Sequence, residues 1–405
     1  VIVFWVLAFA TVPIYASLEH VGWDLEVYSK AAKMADAGTD LYVQGMSAEK
    51  EYAEHRAQHA NDPIPLPYLY PPLTLVVLRD AHSLPVSHSV FIVIYCAIYL
   101  VAYLALLFVG QQFCTPQERV AFQLLLPAAA FFPGLLQHDN ILGGNVSFIF
   151  YGVVLTCAYK GWSSGRWTFF YFAVVAGSCC KWPWLTLLAI PVLSAPKQWR
   201  SALIAGMVGV GLFLVQPFIW PELFRHFLQA CEFELYHQGF GVSPAGIFAQ
   251  AYVQLGHSFV LPAMIVYGLY APAVAFALFS LSSRYRNGSV SLIQWAPVLL
   301  LGVFLLNPRI KDYDVAPLTI PMALIAWRFI TRFISTAKAA ATCFGLFILA
   351  NVIALSGILG DNSWNLMSCF LTVILFGFGC WDLSNERIPE ENRPARYQEV
   401  EMVFN

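Results

Sequence analysis

Charge is what this 405-residue chain has least of: only 11% of its residues are Asp, Glu, Lys or Arg, against about 25% in an average soluble domain. Its 22 basic and 24 acidic residues leave a net charge of −2. Neither a basic field for nucleic acid nor an acidic tail is therefore present. The nine cysteines form no CxxC pair and no Cys/His spacing suited to a metal, so they read as packing residues. No internal repeat, low-complexity tract or second soluble domain is visible. What the chain has instead is apolar surface, with 59% hydrophobic and 16% aromatic residues. A soluble protein of this length cannot hide so much, and disorder is excluded by the same numbers. The composition predicts an all-α integral membrane protein.

A bilayer-spanning helix needs about 20 apolar residues. Clear spans are predicted over 1–17, 86–109, 201–220, 259–281 and 339–359, and shorter or broken ones over 120–136, 146–159, 292–306, 315–329 and 365–381. The stretch 167–194 is too long for one span and is interrupted by Cys180, Lys181, Trp182 and Pro183, which predicts two helices meeting there. The total is about 12 spans in a single polytopic domain over 1–381, with a polar tail over 382–405. Val1 is not a Met, which suggests a trimmed start; no small-residue cleavage pattern follows the first span, so an uncleaved helix is expected.

Basic residues in short loops set the orientation. With the long segment 18–72 outside, Arg119, Lys160, Arg166, Lys197, Arg200, Arg284, Arg286, Arg328, Arg332 and Lys338 all fall in cytoplasmic connections, as do the arginines of the tail. Both termini are then cytoplasmic, in a plasma or inner membrane.

The outside segment opens with Trp23-Asp24-Leu25-Glu26-Val27-Tyr28, read as an amphipathic helix. Asp24, Tyr28, Ala31 and Ala32 share one face, and Glu26, Lys30 and Lys33 share the opposite one. Glu26 has a place on a solvated face; Asp24 has two readings, a helix N-cap or a general base at the membrane surface. Gly38-Thr39-Asp40-Leu41-Tyr42 closes the helix. Pro71 and Pro72 then hold Tyr70 on a stiff extended segment, where a Tyr also serves as an interfacial anchor.

These blocks resemble glycosyltransferase family 87, integral-membrane mannosyltransferases of the GT-C superfamily that use polyprenol-phosphate-linked sugars. The resemblance runs through Asp24–Tyr28, Gly38–Tyr42 and Tyr70-Pro71-Pro72-Leu73, then Gly144-Asn145-Val146-Ser147 and Lys181-Trp182-Pro183-Trp184-Leu185. It closes with Asn307-Pro308-Arg309-Ile310-Lys311-Asp312-Tyr313-Asp314. It implies a GT-C-type helical bundle and a catalytic base at Asp24. It also implies a polyprenyl-phosphate sugar donor, a glycolipid or glycan acceptor, and an active site on the extracytoplasmic side. Two departures stand out: Lys311-Asp312-Tyr313-Asp314 where some members carry paired histidines, and Tyr236-His237-Gln238-Gly239 in place of an Asn-Gln-Ser block.

Sugar transfer from a lipid phosphate to a hydroxyl needs a base for the acceptor proton, cations or NH groups for the departing phosphate, and groups to orient the sugar. Lys181, Arg309 and Lys311 are the candidates for the phosphate. Lys181 interrupts an apolar stretch at membrane depth, where ionisable residues are rare; its other reading is a side chain snorkelling to the headgroups. For Arg309 and Lys311 the other reading is an ion-pair knot with Asp312 and Asp314. Asn145 either meets a sugar hydroxyl or caps the following helix. Tyr28, Tyr42, Tyr70, His237, Asn307, Asp312 and Tyr313 complete the candidate substrate contacts. No cofactor is expected. Mg²⁺ or Mn²⁺ lacks a clear motif, since His138 with Asp139 makes a poor cation site and Asp312-Tyr313-Asp314 is the nearest approach to a paired-carboxylate motif. The competing reading of the whole chain is a secondary transporter or lipid-linked sugar flippase, which would place charges near the bilayer midplane in two related halves.

Overall fold

The computed structural model describes residues 22–55, 68–83, 87–120, 143–238, 241–255, 260–359 and 363–385. The expected spans over 1–17 and most of 120–136, together with His138, Asp139 and nearly all of the tail, lie outside the described residues, as do the side chains of His237 and Asp312.

Among the described residues the chain is helical throughout, and its one β-type contact is an isolated parallel bridge between Gly241 and Ile310. Six helices are long and apolar enough to cross a membrane: Ser89–Gln112, Pro196–Ile219, Leu261–Arg286, Tyr313–Thr331, Thr336–Ser356 and Ser363–Ser384. Thr168–Ser178, Trp182–Ser194 and Leu292–Leu305 are apolar but shorter. Large apolar side chains such as Phe172, Phe218, Leu269 and Phe276 face outward, as lipid-facing residues do in a multi-pass membrane protein.

Tyr313–Thr331 is the central post, with 78% of its apolar window inside the protein where the other five have a third or less. It packs beside Leu292–Leu305, which is buried on every side from Trp295 to Leu305. A helix apolar all round is a core helix, and this one needs no polar face because other helices cover it. Close approach elsewhere relies on small residues. A Cβ on Gly152 would lie 2.8 Å from the Ala102 methyl, and one on Gly177 would lie 2.0 Å from the Phe150 ring.

The interruption expected near Cys180 is there. The Thr168–Ser178 helix stops, Lys181 is extended (φ −139°, ψ 99°), and a 3₁₀ turn Trp182–Leu188 leads into Ala189–Ser194. Pro183 sits in the first turn, where a missing N–H costs nothing.

Side-chain contacts sort the bundle into two ends. At one, Arg328 binds both oxygens of Glu118 (2.7 and 3.0 Å) and the carbonyls of Phe113 and Ile293, while Arg332 pairs with Asp382. Arg284 binds the Ser384 carbonyl there too. The Phe113 ring meets Trp162, whose indole binds Ser194, so the Lys160–Arg166 and Lys197–Arg200 connections share this end. The expected cytoplasmic arginines are thus gathered together.

At the opposite end the segment after residue 21 forms helices Trp23–Asp36 and Leu41–Glu54, and Pro72 opens Pro72–His82. The predicted amphipathic split holds: Tyr28, Ala31 and Ala32 are buried, and Glu26, Lys30 and Lys33 are exposed. Asp40 caps the second helix by accepting from the Tyr42 and Val43 amides (3.0 and 3.2 Å). These helices share an apolar cluster with the amphipathic Pro221–Gln238 helix, through Tyr42, Tyr68, Phe224 and Phe227.

Candidate active site

Asp24 does not cap its helix. Gly22 occupies the N-cap with φ 83°, and Asp24 lies in the first turn, so the N-cap reading is corrected. The left-handed turn at Gly22 swings the helix start against Gly143, whose carbonyl accepts from the Asp24 amide at 3.0 Å. The Asp24 carboxylate meets Asn145, whose Nδ2 donates to Oδ2 at 3.2 Å. The same Asn145 caps Val146–Ser164, its Oδ1 accepting from the Ser147 amide at 2.9 Å. Capping therefore fixes which end of the amide faces Asp24. Gly144 beside it has φ 71°, and its carbonyl accepts from the Tyr95 hydroxyl.

Ser147 is the next link, and it is not among the candidate contacts read from the sequence. Its hydroxyl accepts from Lys181 Nζ at 2.9 Å, and the same ammonium donates to the Tyr313 hydroxyl at 3.0 Å while lying 4.1 Å from that ring's centre. Lys181 therefore points into the protein, which overturns the snorkelling alternative. Four residues on from Ser147, Tyr151 shares its helix face. Its hydroxyl donates to Asp314 at 2.8 Å and accepts from the Trp184 indole at 3.0 Å. That i, i+4 pair was the local signal available for Tyr151.

Asp314 is 3% exposed, and its other oxygen accepts from the Lys311 amide at 3.0 Å. Its carboxylate is thus committed to Tyr151 and the backbone. Arg309 forms no ion pair and no side-chain hydrogen bond with any described residue, and its Nε is buried without a partner. The ion-pair knot proposed for Arg309 is therefore not formed with Asp314. Asn307 shapes the loop, with Oδ1 accepting from the Arg309 amide at 3.0 Å. The Ile310 carbonyl takes the Val242 amide at 2.7 Å, which ties this loop to the segment that leads into the Pro244–Gln254 helix.

Tyr28, Tyr42 and Tyr70 are buried, and their hydroxyls bind one another or the backbone. Tyr28 and Tyr70 are 2.8 Å apart, Tyr28 accepts from the Val146 amide at 3.2 Å, and Tyr42 donates to the Tyr70 carbonyl at 2.6 Å. Burial, then the neighbouring phenol and the Asp24 charge, holds Tyr28 well above the ordinary 10.0. Burial followed by the Asp24 charge does the same to Tyr70. Their protons stay on at any physiological pH, so they prop the Asp24 helix as neutral donors and acceptors.

Asp24, Asn145, Lys181, Tyr313, Arg309 and Lys311 thus come from four separate stretches to one end of the bundle. Among the described residues no group of three or more His, Cys, Asp or Glu side chains is placed to hold a metal. No protein-family model, curated protein or solved structure matches the chain.

Proposed function

We propose that the chain is a membrane glycosyltransferase that moves a hexose, mannose by the family resemblance, from a polyprenyl-phosphate donor to an acceptor hydroxyl. One observation carries this reading: a single helix start holds a carboxylate and an ammonium at once, Asp24 through Asn145 and Lys181 through Ser147. A base and a phosphate-binding cation, held by Asn145 and Ser147 two positions apart on one rigid helix start, suit a displacement at a sugar carbon.

In that reaction Asp24 takes the acceptor proton, the freed oxygen attacks the anomeric carbon, and the bond to the phosphate oxygen breaks with both electrons on phosphate. Lys181 and the Arg309 guanidinium, which has no ion-pair partner among the described residues, receive the developing charge, with Lys311 beside them. A single inverting displacement of a β-linked donor leaves an α-linked product. The positive-inside rule puts this site on the extracytoplasmic side, with about 12 spans and both termini in the cytoplasm. Against the transporter reading, these charges gather at one end of the bundle, where a transporter would hold them at the midplane.

The test is Asp24→Asn in membranes supplied with polyprenyl-phosphate mannose. Transfer is expected to fall about 10²–10⁴-fold. Undiminished transfer removes Asp24 as the base, and solute movement without transfer from any lipid-linked sugar replaces the enzyme with a transporter.

A further inference from the structure

The opposite end of the bundle carries a second feature. From residue 140 to residue 221 the chain has no Asp, Glu or His, yet it holds Lys160, Arg166, Lys197 and Arg200 at this end. All four are exposed. Lys160 lies over the Phe169 ring at 5.0 Å and Arg200 over the Trp199 ring at 5.4 Å, while the Arg166 guanidinium and the Lys197 ammonium have no hydrogen-bond or ion-pair partner among the described residues. The adjoining His88–Gln112 helix brings no acid to them, and the described carboxylates at this end, Glu118 and Asp382, are committed to Arg328 and Arg332. Among the described residues no carboxylate is paired with these four cations.

Arg166 also lines a surface-open cavity of about 450 Å³ with Thr168, Tyr171, Phe172, Gln198 and Ser201, so that Lys197 and Arg200 are close in sequence to its wall. Tyr171 and Gln198 hold its wall by a hydrogen bond of 3.1 Å. Its rim turns apolar toward the bundle's side, where Phe169, Phe172, Leu203 and Ile204 are each more than half exposed. The helices Thr168–Ser178 and Trp199–Leu214 both start here without a side-chain cap, which adds partial positive charge to the same space. Cations at a polar hole, with an apolar rim beside it, match a molecule with an anionic head and hydrocarbon tails.

We propose that this cavity binds the headgroup of an anionic phospholipid. Arg166, Lys197 and Arg200 meet the phosphate, Gln198 and Ser201 meet the polar head, and the acyl chains run along Phe169, Phe172 and Leu203. A basic pocket between helix ends suits such lipids, and zwitterionic lipids leave the charge unanswered.

Native mass spectrometry of the full chain in detergent tests this, with phosphatidylglycerol and phosphatidylcholine offered separately. Phosphatidylglycerol adducts are expected to dominate, and Arg166→Gln is expected to weaken them about fivefold, the worth of one interfacial basic residue. The triple variant Arg166→Gln, Lys197→Gln, Arg200→Gln is expected to abolish the preference. Thr168→Trp keeps every charge but fills the cavity, and it is expected to lose the adducts as well. Equal adducts for both lipids, or a preference that survives Thr168→Trp, overturns the proposal. So does displacement of the lipid by equimolar inorganic phosphate, which makes the site one for the free ion.

Discussion

Asn145 and Asp24 are 121 residues apart in the chain and meet amide to carboxylate at 3.2 Å, while the other end of the same amide caps a helix. One side chain thus couples the stability of a bundle helix to the direction of the candidate base. Asn145→Ser separates the two roles. Serine is an equally good N-cap, so the melting temperature in detergent is expected to stay near that of the parent. Serine is too short to reach Asp24, and sugar transfer is expected to fall at least about tenfold. Full transfer in a folded Asn145→Ser protein would restrict Asn145 to capping.

Tyr28→Phe tests the prop beneath the same helix. The Tyr28 hydroxyl accepts from the Val146 amide and is paired with Tyr70. Removing it leaves two buried polar groups without their partner, a loss of about 1–3 kcal/mol. Thermal unfolding reads the loss directly. Tyr70→Phe in the Tyr28→Phe background is expected to cost less than in the parent, because the two phenols are each other's partner.

The buried tyrosines also set an alkaline limit. Burial first, then the surrounding charges, raises Tyr28, Tyr42, Tyr68 and Tyr70 above the ordinary 10.0. The folded state therefore keeps phenol protons that the unfolded chain gives up. Their contribution to stability is fully present below pH 10 and declines as pH rises above it. Ultraviolet titration of phenolate is expected to show these tyrosines ionising only as the outer helices open, in step with the unfolding signal. Smooth ionisation near pH 10 without unfolding would contradict their burial.

What could be read locally and what could not follows from the range of each interaction. The amphipathic start at Trp23 was legible because Tyr28, Ala31 and Ala32 repeat at helical spacing, and the break near Lys181 was legible because Pro183 ends an apolar run. Asn145 was ambiguous for a physical reason: an Asn before an apolar run caps a helix whether or not its amide does more. Its second bond depends on Gly22 and Gly144 turning two distant segments together. Leu292–Leu305 and a lipid-facing helix carry the same apolar pattern, so its burial at the centre could not be told from composition. The docking of Pro221–Gln238 on the outer helices pairs two amphipathic faces, and neither sequence names its partner.

The ion pair at the other end has a sharper outcome. Arg328 binds both Glu118 oxygens and two backbone carbonyls, and the Glu118 side chain is only 9% exposed. Arg328→Met leaves that carboxylate buried without its partner, an expected loss of about 3–5 kcal/mol. Adding Glu118→Leu removes the stranded charge, and the double variant is expected to melt well above Arg328→Met alone. Equal melting of the two would mean the pair is not the seat of the stability.

Gly241→Ala tests whether the loop carrying Arg309 and Lys311 must be held from outside. Gly241 has φ 81°, and a Cβ there would lie 2.1 Å from the Ile310 carbonyl oxygen. Both the backbone conformation and the contact require glycine, so alanine must push the two segments apart and break the Val242–Ile310 hydrogen bond. The bundle helices do not depend on this bridge, and thermal stability is expected to drop by only about 1–3 kcal/mol. Arg309 and Lys311, however, move relative to Lys181, and a phosphate held between them loses its geometry. The expected result is a folded protein whose apparent affinity for the lipid-phosphate donor falls about tenfold or more. Donor affinity unchanged in Gly241→Ala would separate Arg309 and Lys311 from phosphate binding and leave Lys181 as the cation that serves it.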